Sequence, residues 1–500
     1  MSAPSTVALS LVSHTNVGKT TLARTLLGRD IGEVRDEAHV TEVAEGQVLV
    51  ESPAGDRLML WDTPGFGDSL RLAKRLAQAG NPIGWFLSEV WDRWRDRPFW
   101  SSQRALRNVL DEADVVLYLV NASEAPEDAG YLDAELQVLA LTGKPVVALL
   151  NQLGPAGAAA GDETPLAGRW RQRLQRSRGV RAVLALDAFT RCWVQEGLLW
   201  QAIAAELPPG KQPAFARLRA AWRDRQLGTW RQSMHELAQR LARAALDREV
   251  VTAEGWRGPL RTLGAALGIK AGEGESASGR AMAALAERLD LDMRRSTDAL
   301  IRLHGLDGRA GAEVLAKLAL HYAAREPIDE RRAALWGGMV TGALAGLKAD
   351  VISGGMTLGG GLLAGGVIGA LTAAGAARGV NKVRGLDQPV LAWDASVLDA
   401  LLTSALLGYL AVAHHGRGRG AWVAQEPPAG WTESVRAVLA GHKEAVAAMW
   451  QRRQALLTDA GLSADAAQAG LLPRLQSLLI GLGAAVLARL YPASEALPSD

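Results

Sequence analysis

The sequence predicts an α/β domain over residues 1–205, built on a mostly parallel sheet with helices on both faces, followed by a mostly α-helical region. Three observations predict this. Strand-like and helix-like runs alternate through residue 205. Strand patterns then largely vanish after Leu207-Pro208-Pro209-Gly210. Further on, Ala333–Ala377 is dominated by Gly, Ala, Leu, Val and Ile, with Lys348 and Asp350 as its only charges.

The first strand is Thr6–Val12, apolar and β-branched, and a helix-like run follows at Leu22–Leu27. Between them lies Ser13-His14-Thr15-Asn16-Val17-Gly18-Lys19-Thr20-Thr21. This is the G-x-x-x-x-G-K-[ST] phosphate-binding loop, with Ser13 in place of its first glycine. In such a loop backbone N–H groups point at phosphate oxygens, and the helix N-terminus adds partial positive charge. Lys19 is placed to reach the β and γ phosphates, and the Thr20 hydroxyl to ligate Mg²⁺.

Strands are next expected at Gln47–Glu51 and Leu58–Asp62. The second ends in Asp62-Thr63-Pro64-Gly65, a D-x-x-G pattern; its bland alternative is an ordinary Asp-x-Pro-Gly turn. Asp62 would hold the metal through a water, and the Gly65 N–H would sense the γ phosphate. A switch threonine should lie between the two motifs. Leu22–Trp61 contains Thr25, inside the loop's helix, and Thr41, so Thr41 is the candidate.

From Gly65 to Asp114 the connection exceeds what a switch and one helix need. The insert, about 68–113, mixes Trp85, Trp91, Trp94, Phe99 and Trp100 with Arg93, Arg95 and Arg97. It reads as a surface for a protein partner or for nucleic-acid stacking, or as a helical elaboration packing its tryptophans onto the domain. Strands follow at Val115–Asn121, Pro145–Asn151 and Val180–Leu186, with a helix at Leu132–Leu141.

The helical region divides into 206–332, a Gly-rich apolar helical hairpin at 333–385, and 386–500. Leu218, Trp222, Trp230, Met234, Leu237 and Leu241 recur at helical spacing beside an arginine-rich face, which reads either as lying on anionic lipid or as the solvated face of a helical bundle. In the hairpin Gly338, Gly342 and Gly346, then Gly361, Gly365 and Gly369, fall four apart. That spacing suits close helix packing, either in reversible bilayer insertion or in a tight core hairpin. Apolar helices are expected at Val397–Ala413 and Leu475–Leu490, with His414-His415 as a polar helix exit.

Bulk composition agrees with a folded chain. Of 500 residues, 48% are hydrophobic and 22% charged, which excludes global disorder. The net charge of +2 gives no general argument for nucleic acid, and no nucleic-acid partner is predicted. A single cysteine, Cys192, excludes a disulfide framework and fits a reducing compartment. No basic segment precedes the first apolar run, so no signal peptide is read and a cytoplasmic location is expected, with peripheral contact on the inner membrane face as the variant.

The loop Asn16-Val17-Gly18-Lys19, the Asp62-Thr63-Pro64-Gly65 turn and the strands around them make the first 205 residues resemble the Era/TrmE-like bacterial GTPases. The whole chain is similar to a bacterial family that joins such a domain to a largely helical C-terminal domain of unknown function. The resemblance implies a GTP-binding, GTP-hydrolysing switch with low intrinsic turnover. It implies catalytic roles for Lys19, Thr41 and Gly65, and Mg²⁺ held by Thr20, Thr41 and Asp62. Nucleotide contacts would come from Ser13, Asn16, Val17, Gly18, Lys19, Thr20, Thr21, Asn151, Gln152, Asp187 and Ala188.

Three positions depart from the pattern. Phe66 stands where many small GTPases carry a water-orienting glutamine; with Asn16 present, the TrmE resemblance implies K⁺ as the auxiliary charge. The base-reading [NT]-K-x-D is Asn151-Gln152-Leu153-Gly154, which lacks the lysine and the carboxylate. Leu186-Asp187-Ala188 stands where an S-A pair is usual, so Asp187 either supplies the missing carboxylate or shapes a turn. Three readings follow: a GTPase switch signalling to the helical half, a non-hydrolysing nucleotide-binding scaffold, or a dynamin-like membrane remodeller.

Overall fold

The computed structural model describes residues 4–28, 44–76, 84, 96–153, 165–189, 192–250, 277–306, 390–393, 395–416, 429–459, 462–492 and 494. Thr41, Gly154, Trp85, Trp91, Trp94 and the hairpin 333–385 lie outside them. The chain divides into two compact units. The first is Met1–Gly228 with Ala413–Ala421 and Ala488–Asp500, and the second is Thr229–Val412 with Trp422–Leu487.

The first unit opens with β1 (Thr6–Ser13), α1 (Lys19–Leu27), β2 (Glu45–Glu51), β3 (Arg57–Asp62) and α2 (Ser69–Leu76). It continues through α3 (Arg97–Asp111), β4 (Val115–Asn121), α4 (Leu132–Leu141), β5 (Val146–Asn151), α5 (Pro165–Gln175), β6 (Val180–Ala185) and α6 (Trp193–Glu206). The six strands form one sheet in the order β2-β3-β1-β4-β5-β6. All neighbours are parallel except β2, which runs antiparallel to β3. The short link Ser52–Asp56 makes that hairpin possible, since a parallel pair would need a crossover.

Burial explains the strand sequences. The central strands β4 and β5 are covered on both faces and read as unbroken apolar runs. The edge strands β2 and β6 are only partly covered. One face packs Tyr118, Val120, Ala148 and Leu150 against Phe66, Phe99, Leu106, Leu132, Leu136 and Trp170. The described part of the insert is helical, with Phe99 of α3 a core residue and Trp100 half-buried; its other tryptophans lie outside the described residues.

A long helix α7 (Gln212–Leu246) follows α6. In the first unit Trp200 of α6 stacks on Phe215 and Trp222 of α7, with ring centroids 5.3 and 5.1 Å apart. The frequent tryptophans thus act here as large packing surfaces. Lys211 grips Asp114 through both carboxylate oxygens at 2.7 Å. Arg217 donates Nε and Nη2 to buried Asp56 at 2.7 and 2.9 Å.

The second unit contains the rest of α7, β7 (Arg248–Val250), α8 (Ala277–Leu303), β8 (Val390–Ala392) and most of α9 (Ala395–Ala413). It also holds α10 (Ala429–Gly441), α11 (Lys443–Thr458) and most of α12 (Ala464–Leu490), while β7 and β8 pair antiparallel. Trp230, Met234, Leu237 and Leu241 are buried, as their spacing predicts. The arginine face is not wholly solvated: Arg240 is buried and donates to Ser296 Oγ at 3.2 Å.

Helices α9 and α12 are long and apolar enough to cross a membrane by length and composition, with mean hydropathies of 1.7 and 1.6. Two thirds of the apolar window of α9 is packed inside the protein, as a core helix would be. Its polar exit, His414-His415, is buried. His414 Nε2 lies 2.6 Å from the Tyr491 hydroxyl.

Candidate functional site

The P-loop sits where the strand order reverses, at the C-terminal end of β1 between β3 and β4. In open α/β sheets this switch point is where ligands bind. The loop turns through two left-handed residues, Asn16 at φ 62° and Gly18 at φ 92°. Asparagine tolerates that region because its short amide bonds locally. Gly18 must be glycine twice over, since a Cβ there would also lie 2.9 Å from Asn151 Nδ2.

Beyond Gly18, α1 begins with Lys19 and Thr20. Lys19 is buried, and its Nζ donates to Ser13 Oγ at 3.1 Å. The hydroxyl that replaces the motif's first glycine is thus a partner for the motif lysine. Thr20 Oγ1 donates to Asp62 Oδ2 at 2.6 Å, so the loop and the end of β3 meet as their motifs require. Asp62 Oδ1 is buried without a hydrogen-bond partner among the described residues. Burial pushes the Asp62 carboxyl up and the Lys19 ammonium down, and each resists the other's shift by its charge. A phosphate beside Lys19 and a divalent cation beside Asp62 would each restore what burial removes.

These residues fit Mg²⁺: a hydroxyl and an orphaned carboxylate oxygen are hard oxygen donors, and magnesium takes few protein ligands beside phosphates and waters. Among the described residues no cluster of three or more His, Cys, Asp or Glu offers an all-protein cage instead.

Gly65 comes close to the loop. A Cβ there would lie 3.1 Å from Thr15 Cα and 3.2 Å from Lys19 Nζ. Phe66 points away from this space. Its side chain is fully buried in the core, and its N–H donates to Ser13 O at 2.9 Å. A phenyl ring so placed cannot orient a water.

On the base side, Asn151 ends β5 with its side chain wholly buried. Its Nδ2 donates to Val17 O and its Oδ1 accepts from Ala188 N–H, both at 2.8 Å. Ala188 is held again through its carbonyl, which accepts from Thr25 Oγ1 at 2.8 Å. Gln152 is left-handed at φ 58°. Asp187 Oδ2 accepts from Leu153 N–H at 3.0 Å and Oδ1 from Phe189 N–H at 2.8 Å, the turn-shaping alternative for this residue. Thr21 is buried on α1, and Asn16 is exposed on the loop.

The sequence reading missed Glu135. Its side chain is fully buried, and it accepts from His14 Nδ1, Ser69 Oγ and Tyr118 Oη. One signal was available. Leu132, Glu135, Leu136 and Leu139 follow the i, i+3, i+4, i+7 spacing of a buried stripe, and a carboxylate stands on it. A separate cavity of about 830 Å³ in the second unit, lined by Trp393, Asp399, Lys443, Trp450 and Arg453 among others, carries none of the motif residues.

Residues 8–152 match the family described as 50S ribosome-binding GTPase. No curated protein matches the chain. Among solved structures it is similar to Era in complex with MgGDPNP and a segment of 16S ribosomal RNA, at 19% identity and a TM-score of 0.31, covering 41% of this chain and 58% of that one. Similar too are Aquifex aeolicus Era bound to GDP·AlF₄⁻, at 20% identity, TM-score 0.30, 41% and 57% coverage, and the elongation factor SelB of Methanococcus maripaludis with GppNHp, at 17% identity, TM-score 0.23, 37% and 31% coverage. The chain thus spans little more than half the length of the Era chains it matches. The sheet order, the loop and the family match give the first unit the fold of a P-loop GTPase.

Proposed function

We propose that this protein binds GTP with Mg²⁺ and hydrolyses it slowly, as a switch whose state reaches the helical half. The observation that carries the reading is the meeting of Thr20 with Asp62, whose second oxygen is orphaned, beside the buried ammonium of Lys19. Lys19 and the P-loop N–H groups would hold the β and γ phosphates and stabilise charge as the phosphoryl group transfers. Magnesium, held by Thr20, Asp62 through a water, and Thr41, would neutralise charge on the phosphate oxygens. The Gly65 N–H would sense the γ phosphate. Phosphate release from GTP by the wild-type protein and Lys19→Ala tests the enzyme; no Lys19-dependent turnover would leave only the scaffold reading.

Asn151 and Ala188 support a formed base loop, yet Gln152 leaves out the usual lysine. Competition of GTP, ATP and XTP for the site decides base choice, and equal competition would refute guanine selectivity. Potassium as the auxiliary charge rests on Asn16 and on the burial of Phe66. Its expected outcome is faster turnover in potassium than in sodium, and equal rates would end the idea. Signalling rests on α7, whose Arg217 holds Asp56 in the β2–β3 turn and whose C-terminal part belongs to the second unit. A peripheral membrane contact rests on residues 333–377 alone, and liposome flotation unchanged by their deletion would remove it.

A further inference from the structure

A carboxylate with no solvent exposure is costly unless donors surround it. At Glu135 three converge. Ser69 Oγ lies 2.6 Å and His14 Nδ1 2.7 Å from Oε1, while Tyr118 Oη lies 2.7 Å from Oε2. Burial and the Glu135 charge push the Tyr118 hydroxyl well above its ordinary range, so it stays a donor. Packing alone does not call for this group, because a leucine would complete the apolar stripe of α4 without any buried charge.

The three donors come from different parts of the fold. Tyr118 belongs to β4. His14 belongs to the P-loop, where its ring stacks on Tyr131 at 4.1 Å between centroids. Ser69 is the first residue of α2, four positions after the switch glycine. One carboxylate oxygen therefore fastens both the P-loop and the start of the switch helix. A second tie lies just before it, where Phe66 N–H bonds to Ser13 O. The chain from Gly65 to Ser69 is thus held against the P-loop at two points.

We propose that Glu135 is a positioning residue for hydrolysis. Through His14 and Ser69 it fixes where the backbone around Gly65 stands relative to the transferring phosphoryl group. This role rests on the GTPase reading. With Phe66 turned into the core, the side chain directly after Gly65 does not reach the attacking water, and the backbone held by these ties is left to place it. Loosening them loses transition-state geometry while the phosphate contacts made by Lys19 and the loop remain.

The test compares kcat, KM for GTP and Tm for the wild-type protein, Glu135→Gln, Ser69→Ala, His14→Phe and the double variant Ser69→Ala/His14→Phe. Glu135→Gln preserves shape but replaces the charge-assisted bonds to Ser69 and His14 with the weaker ones of a neutral amide. His14→Phe preserves the stack on Tyr131 while removing the donor. Each single variant is expected to lower kcat about tenfold or more with KM within about threefold, and the double to be no worse than about threefold below either single, since both act through one carboxylate. Unchanged kcat in Glu135→Gln, losses that multiply in the double, or losses that merely follow Tm would each overturn the role while leaving the GTPase reading intact. No Lys19-dependent turnover in the wild-type protein would overturn both.

Discussion

Replacing Asn151 by alanine should disconnect the base-side loops from the P-loop. The side chain is wholly buried and spans two segments: Nδ2 donates to Val17 O and Oδ1 accepts from Ala188 N–H, both at 2.8 Å. Alanine removes both bonds and leaves two backbone groups without partners in the interior. An unsatisfied buried group costs about 1–3 kcal/mol, so two cost about 2–6 kcal/mol before any relaxation. For a domain of this size each kcal/mol moves Tm by about 2–4 °C, so a loss of roughly 4–24 °C is expected. Thermal unfolding followed by the protein's tryptophan fluorescence reads it. Asn151→Asp retains an acceptor for Ala188 N–H but no donor for Val17 O, so it should recover only part of the loss. A shift of less than about 2 °C for Asn151→Ala would refute the reasoning, because it would mean that water or a small rearrangement satisfies both groups.

Gly65→Ala should slow turnover by about tenfold or more with little change in Tm, because its Cβ would press on Thr15 Cα at 3.1 Å and on Lys19 Nζ at 3.2 Å, where the proposed function seats the phosphoryl group. Steady-state phosphate release with a parallel melt checks this, and wild-type turnover would refute it. Asp56 should make the first unit acid-sensitive. The Arg217 guanidinium, helped by Ser52 and the Ser5 N–H, holds its carboxyl well below the usual range. A depressed carboxylate contributes stability above its unfolded pKa of about 3.9, and that contribution is lost as pH falls from there through the folded value. Unfolding followed from pH 5 downward, about one unit above that range, should show this loss in the wild-type protein and a shallower slope in Asp56→Asn; equal slopes would refute it. Gly18→Ala should prevent nucleotide binding, since it strains the left-handed φ of 92° and crowds Asn151; fluorescent-nucleotide titration checks it.

The phosphate loop, the Asp62-Thr63-Pro64-Gly65 turn, the strands and the change to helix after residue 205 are legible in the residues alone. These are local signals: residue types a few positions apart fix a turn, a cap or a face of a strand. Phe66 and Gln152 were legible in the same way, as departures from a contiguous motif. Other features depend on pairs far apart in the chain and become visible only in the fold. The antiparallel β2, the Arg217–Asp56 pair, the link from Asn151 to Val17 and the use of Asp187 as a turn anchor follow from which strand lies beside which. Glu135 shows the reason most clearly. The sequence marks it as a carboxylate on an apolar stripe. It becomes a junction of P-loop and switch helix only when the strand order brings His14, Ser69 and Tyr118 to one buried point, because a buried charge persists where the fold itself delivers its donors.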